Sequence, residues 1–356
     1  MTLEQVAALA GVSRSTVSRV LNNHPSVNQA TRRRVLEVVR AHDFHPNQAA
    51  RALASRRSQI IGLVIPQPLH SVFSEPYFGA LISGTSAACA ERGYYLMLSL
   101  AAPSAPDAYS RIIAGGHVDG LIVASAILNS PLVARLHDER FPFVLVGRDP
   151  NRTDVPTVDV DNQQGAAKVA MHFVRIGYKR IGTITGPMSM VAALDRHHGF
   201  LGGLRSAGLA CPDSAIAEGD WSEQSGYLAM LRLLAAPQHP QAVFVASDNM
   251  AIGALRAIRG AGLRVPQDIA LVGFDDLPLA EAVDPPLTTV RQPIPQIGYT
   301  AATLLIDLLN RPGRAEDGWP AAPASERIIL PTELIVRQSC GLVRRFLSTS
   351  EIPATS

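Results

Sequence analysis

The 356-residue chain holds few cysteines: Cys89, Cys211 and Cys340 lie far apart and form no CxxC pair. A disulfide framework or a thiolate zinc site is therefore not expected, and a reducing compartment fits. No apolar run approaches the ~20 residues that a membrane span needs. The opening stretch MTLEQVAALAG lacks a basic segment followed by a long apolar core, so no signal peptide is expected. These absences predict a cytoplasmic protein with no membrane partner. Catalytic motifs are also lacking. There is no GxxxxGK followed by Ser or Thr and no HExxH, and no GxSxG or GxGxxG stands in a strand-to-helix turn. Neither an enzyme nor a cofactor is expected. His197-His198 are neighbours, which point in different directions on a helix, so a surface role outweighs metal binding. Asp275-Asp276 follow a strand end, where a hydrogen-bonding role needs no catalysis.

What the chain does have is an uneven distribution of charge. The net charge is only +2, yet residues 1–60 carry nine arginines against Glu4, Glu37 and Asp43. One end is therefore strongly basic and the rest mildly acidic, as binding of nucleic acid by one end requires.

The basic end contains the run Val6 to Leu21, VAALAGVSRSTVSRVL. Val6, Ala7 and Ala10 are small or apolar at helical spacing, and Gly11 breaks the pattern. Ser13 can cap a second helix, in which Val17, Val20 and Leu21 resume an apolar stripe. This predicts two short helices joined by a tight turn at Gly11. Arg14, Ser15, Ser18 and Arg19 fall on the outer face, as donors able to reach base edges and phosphates. A helix-turn-helix is the sharper reading, and an ordinary helical hairpin with a polar face the blander one. Asn28 to Asp43 reads as a third helix, with Asn28 as cap and Val35, Leu36, Val38 and Val39 as its apolar face.

The run resembles the DNA-binding head of the lactose-repressor (LacI/GalR) family of bacterial transcription regulators. The matching positions are Val6, Ala7, Ala10, Gly11, Val12, Ser13, Thr16, Val17, Ser18, Arg19, Val20, Leu21 and Asn22, and the likeness continues to about Cys340. The resemblance implies a homodimer bound to double-stranded operator DNA. Thr2, Ser13, Arg14, Ser15, Thr16, Ser18, Arg19 and Asn22 would be the head's contacts. It also implies a hinge helix and linker at residues 46–58, with Asn47, Ala50 and Leu53 at the DNA and Leu53 as an apolar wedge in the minor groove.

From Gln59 onward, apolar strand-like runs at 60–65, 95–100, 120–123, 143–146, 180–184, 242–245 and 270–274, most of them rich in β-branched residues, alternate with helical stretches. Such alternation predicts parallel sheets covered on both faces, and the number of strands calls for two doubly wound lobes. The expected fold class is an all-α helix-turn-helix head (1–45) with an α/β two-lobed body (59–340), which the resemblance makes periplasmic-binding-protein-like. The N-lobe is expected at about 59–157 and 290–323, and the C-lobe at about 158–289 and 324–340. Residues 341–356 are expected to be a disordered tail, without the heptads of a coiled coil.

The body offers a polar and aromatic set that matches effector positions of the family: Tyr77, Phe78, Arg196, Trp221, Asp248 and Asp275, with Arg148 as a weaker member. Aromatic faces stack on sugar C–H surfaces, while Arg and Asp take hydroxyl groups. Ser247 and Ile294 depart from the family, which often has Asn and an aromatic at those places, so sugar specificity does not carry over. The expectation is a ligand-controlled repressor that senses a small carbohydrate between its lobes. The rival, a sugar-binding transport receptor, would need a signal peptide and no basic helix-turn-helix.

Overall fold

The computed structural model describes residues 1–21, 24–44, 57–67, 69–100, 109, 112–113, 115–124, 127–311 and 326–342. They fall into two compact units, Met1–Gln59 and Ile60–Ser356. In the first, α1 (Leu3–Ala10) opens on a capping box: Thr2 Oγ1 accepts from the Gln5 N–H, and the Gln5 side chain accepts from the Thr2 N–H at 2.8 Å. Gly11, at φ 62, ends the helix in the left-handed region that favours glycine. Ser13 Oγ then accepts from the Thr16 N–H at 3.1 Å and opens α2 (Arg14–Leu21). Asn28 caps α3 (Gln29–Ala41), accepting from the Thr31 N–H at 2.8 Å. Val6, Ala7, Ala10, Val17, Val20 and Val35 are buried together as the core of this three-helix unit.

The second unit contains two six-stranded sheets. The elements of its first half are β1 (Ile60–Val64), α4 (Leu69–Ser74), α5 (Pro76–Glu91), β2 (Tyr95–Ser99), β3 (Gly120–Val123), α6 (Pro131–Asp138), β4 (Phe143–Val146) and β5 (Thr157–Val160). The chain continues through α7 (Asn162–Ile176), β6 (Ile181–Thr185), α8 (Val191–Ser206), β7 (Ile216–Glu218), α9 (Glu223–Leu234), β8 (Ala242–Val245) and α10 (Asp248–Gly260). It ends with β9 (Ala270–Asp275), α11 (Pro278–Ala282), β10 (Thr288–Arg291), α12 (Ile294–Leu309), β11 (Arg327–Leu330) and β12 (Glu333–Ile335).

The N-lobe sheet runs β11-β5-β4-β3-β1-β2 and is parallel throughout. The C-lobe sheet runs β12-β10-β9-β8-β6-β7, and its edge strand β12 is antiparallel to β10. Helices cover both faces of each sheet, which is why β3, β4, β8 and β9 are buried from end to end. α5 and α12 bury Leu81, Ala88, Leu305 and Ile306 against one side of the N-lobe sheet. α7 and α8 bury Phe173 and Phe200 against the C-lobe sheet, with Phe244 and Phe274 of its strands.

Among the described residues the chain passes between lobes three times, and all three passages fall later than expected. β10 (288–291) pairs with β9, so residues 290–291 belong to the C-lobe, and the crossing comes at Gln292-Pro293. β11 pairs with β5, so 326–330 belong to the N-lobe, and the return comes at Pro331-Thr332. Residues 158–160 likewise sit in the N-lobe sheet. Backbone pairing with a distant strand fixes these memberships, and no local periodicity encodes it. At the C-terminus, Leu342 packs on the C-lobe core, so the body extends past 340, and 343–356 lie outside the described residues. Among the described residues, no helix is long and apolar enough to cross a membrane.

Candidate functional site

The carboxyl ends of the strands in both lobes converge on a cavity with about 870 Å³ of empty space, its open mouth included. Ligands of open α/β sheets bind at this end of the strands. The N-lobe supplies Glu75, Tyr77, Phe78, Gly147 and Asp159, and the C-lobe supplies Met190, Arg196, Trp221, Asn249 and Asp275. Pro76 starts α5 at the first helical position, where its missing N–H costs nothing, and Tyr77 and Phe78 follow, edge to face at 5.4 Å.

Arg196, on α8, is 5% exposed, and partners surround it. Its Nε donates to Asn162 Oδ1 at 2.8 Å, and its Nη1 donates to the Ala246 carbonyl at 2.6 Å and to Asp275 Oδ1 at 3.3 Å. The guanidinium carbon lies 3.7 Å from the Phe274 ring centre and 5.6 Å from that of Trp221. Asp275 Oδ1 also accepts from Gln292 Nε2 at 2.6 Å. Burial raises the Asp275 carboxyl to about 6, against the lowering pull of Arg196.

Trp221 sits in a turn built by its neighbours. The Asp220 N–H donates to Ser225 Oγ, and the Ser222 N–H donates to Asp220 Oδ1, each at 2.9 Å. The indole Nε1 donates to Met190 Sδ at 3.0 Å. Gly186 leaves room for the indole, since a Cβ there would lie 2.3 Å from its ring carbons. Trp221 (φ 74) and Asp275 (φ 118) both hold positive-φ backbone, which costs energy for residues other than glycine and concentrates at functional sites.

Two expected members of the set do not line the cavity. Asp248 is fully buried and turned inward: Oδ1 accepts from Thr289 Oγ1 at 2.6 Å and Oδ2 from the Leu277 N–H at 2.8 Å. It fixes the start of α10, β10 and the start of α11 relative to one another, and burial raises its carboxyl well above the usual range. Its neighbours Ser247 and Asn249 face the cavity instead, and Asn249 Nδ2 donates to the Trp221 carbonyl at 2.9 Å. Arg148 forms a two-pronged ion pair with Asp195 across the lobes, at 2.8 and 2.5 Å, and Gln163 Nε2 joins Asp195 at 2.9 Å. Glu75, Asp159, Asn162, Met190, Asn249 and Gln292 were not singled out from the sequence. Asp159 lies one residue inside the end of β5 and Gln292 directly follows β10, so a strand-end rule would have pointed to both places had those strands been recognised.

In the head unit, Thr2, Ser13, Arg14, Ser15 and Arg19 are exposed, while Thr16 and Ser18 are half-buried. Ser13 Oγ lies 2.8 Å from both Ser15 Oγ and Thr16 Oγ1. Arg14 Nε pairs with Glu4 Oε1 at 3.1 Å, an exposed pair of the kind that contributes little and yields readily to a phosphate or base. Asn22, Asn47, Ala50 and Leu53 lie outside the described residues.

Residues 2–47 match the family described as bacterial regulatory proteins, lacI family, and residues 170–340 match the periplasmic binding protein-like domain. The HTH-type transcriptional regulator CelR of Thermobifida fusca is 37% identical over 341 residues, 95% of this chain and 98% of that one. This chain belongs to the LacI family of bacterial transcriptional regulators. The HTH-type transcriptional repressor CytR of Escherichia coli is 34% identical over 313 residues, covering 87% of this chain and 90% of that one. Among solved structures, a CelR–cellobiose complex matches with a TM-score of 0.72 at 36% identity, covering 95% of this LacI-family chain and 99% of the other. The lac repressor dimer bound to operator and the anti-inducer ONPF matches with a TM-score of 0.80 at 29% identity, covering 96% and 99%.

Proposed function

We propose that this LacI-family regulator is a cytoplasmic homodimeric repressor of carbohydrate-utilisation genes, and that a small sugar bound between the lobes controls its affinity for operator DNA. The observation that carries this reading is the cleft. Trp221 and Tyr77 offer flat apolar surfaces, and Arg196, Asp275, Asn162 and Gln292 form one connected polar set beside them. A polyhydroxylated ring with apolar faces needs both kinds of surface. Similarity to the CelR–cellobiose complex supports a sugar as the ligand. In the head, Arg14, Ser15, Ser18 and Arg19 would read the major groove, and Leu53 would act as a wedge in the minor groove.

The test is a gel shift with the DNA upstream of the protein's own gene, repeated across a panel of mono- and disaccharides. The reading expects a discrete complex whose stability one sugar class changes. A complex that no sugar of the panel alters would leave a DNA-binding protein without the proposed effector.

A further inference from the structure

We infer that the cleft selects a neutral, hydroxyl-bearing sugar and rejects its acidic counterparts, and that Glu75 enforces the rejection. The inference rests on the cleft being the effector site and adds the charge class of the ligand.

Among the described residues, the charged side chains lining the cavity are Glu75, Asp159, Asp275 and Arg196, three carboxyl groups against one cation. The cation is already engaged: Nε and Nη1 of Arg196 are held by Asn162, the Ala246 carbonyl and Asp275, and the Asp275 carboxylate balances its charge. Nη2 is left for a ligand oxygen, and that donor suits a hydroxyl without needing a negative charge. Arg148 and Arg291, which adjoin the lining residues Gly147 and Gln292 in the chain, are tied up by Asp195 in two bonds and by Asp276 respectively. An anionic ligand would therefore meet a surplus of carboxyl groups and no unbalanced cation.

Glu75 stands apart from the other acids. It precedes Pro76 at the start of α5, yet its side chain makes no capping bond. Asp159 is held by the Val160 N–H and Asn162, and Asp275 by Arg196 and Gln292. Among the described residues the Glu75 carboxyl has no such bond, although it is half-buried and lines the cavity. Burial, with the nearby Asp275 and Asp220 carboxylates, raises it to about 8. A half-buried carboxyl with no protein partner among the described residues is open to a ligand hydroxyl, which meets it as donor or acceptor. Once Glu75 is ionised, a ligand carboxylate at the same place faces a like charge, and below that pH the two groups share the Glu75 proton, so the rejection is built from repulsion and strengthens as pH rises through about 8.

The test is titration calorimetry of the full chain at pH 8.5, where the Glu75 carboxyl is mostly ionised. The probes are three pairs that differ in CH2OH against carboxylate: glucose and glucuronate, galactose and galacturonate, cellobiose and cellobiouronate. The expected result is that the neutral member of the binding pair is preferred by at least about tenfold, as a like-charge contact demands, and that Glu75→Gln narrows the ratio. A uronate bound as tightly as its neutral partner would overturn the charge inference and leave the effector reading standing. A ratio unchanged in Glu75→Gln would remove Glu75 from the rejection. If no member of any pair binds, the effector reading fails for these sugars and the inference falls with it.

Discussion

Arg196 and Asp275 stand 79 positions apart in the chain, yet they share a bond of 3.3 Å from Nη1 to Oδ1 in a buried setting. The pair joins α8 to the end of β9, and Asn162 and Gln292 extend it towards two of the three crossings between the lobes. One residue pair thus shapes the floor of the cleft and spans the segments that any change of lobe arrangement would involve.

Replacing Arg196 by alanine leaves the Asp275 carboxylate, the Ala246 carbonyl and Asn162 Oδ1 without their common donor. Breaking a buried pair from one side costs about 3–5 kcal/mol, so the variant should unfold at clearly lower urea concentration. Asp275→Asn should cost less, because an amide keeps an acceptor for Arg196 and carries no charge to desolvate. Equal urea midpoints for wild type and Arg196→Ala would show that the pair does not hold the lobe together.

Gly186→Ala tests the seat of Trp221. The added methyl would meet the indole carbons at 2.3 Å, so the ring must move. Overpacking of this kind costs about 1–3 kcal/mol, and the same displacement should weaken sugar binding by about tenfold. Calorimetry reads the affinity, and tryptophan emission reports the shift of the ring. Unchanged affinity and emission together would mean that Trp221 does not form a wall of the site.

Asp159 gives a prediction in pH. Burial raises its carboxyl from 3.8 to about 6 in the folded chain. The fold therefore disfavours the ionised form, a penalty absent below about 3.8, growing up to about 6 and complete above that. Asp159→Asn removes the charge and keeps an acceptor for the Val160 N–H. Its melting temperature relative to wild type should rise between pH 5 and pH 7.5. A difference that stays flat across that range would contradict the assignment.

In the head, Arg14→Ala should relax base preference at one or two operator positions, by about 1–3 kcal/mol for a two-pronged base contact. Glu4→Gln frees Arg14 from its surface partner and should change folding stability little. Selection of binding sites from a random DNA pool reads the preference, and an unaltered base profile for Arg14→Ala would take that residue out of the readout.

The head was legible because its signals are local: Gly11 at the turn, Ser13 and Asn28 as caps, and an apolar stripe that becomes the core. The fully buried strands were legible from their β-branched runs. β5, β7, β10, β11 and β12 were not, because TVDV, IAE, TTVR, RIIL and ELI are short and most are part polar, and pairing with other strands stabilises them. Missing β5 and β10 hid Asp159, Asn162 and Gln292, which lie at or just past their ends. In the run Ser247-Asp248-Asn249, a sequence motif cannot tell which side chain faces the ligand. Ser247 caps α10, Asp248 turns into the core, and Asn249 reaches the Trp221 carbonyl.

The central claim is that a sugar held by Arg196 in the cleft governs binding of DNA by the head. Fluorescence anisotropy of labelled operator, titrated with wild type and Arg196→Ala in the presence and absence of the sugar that acts on wild type, tests it most directly. The account predicts that the sugar shifts the operator affinity of wild type at least tenfold, within the usual range of coupling between sites. Arg196→Ala should bind operator as wild type does without sugar and show no shift. An equal shift in both proteins would contradict it.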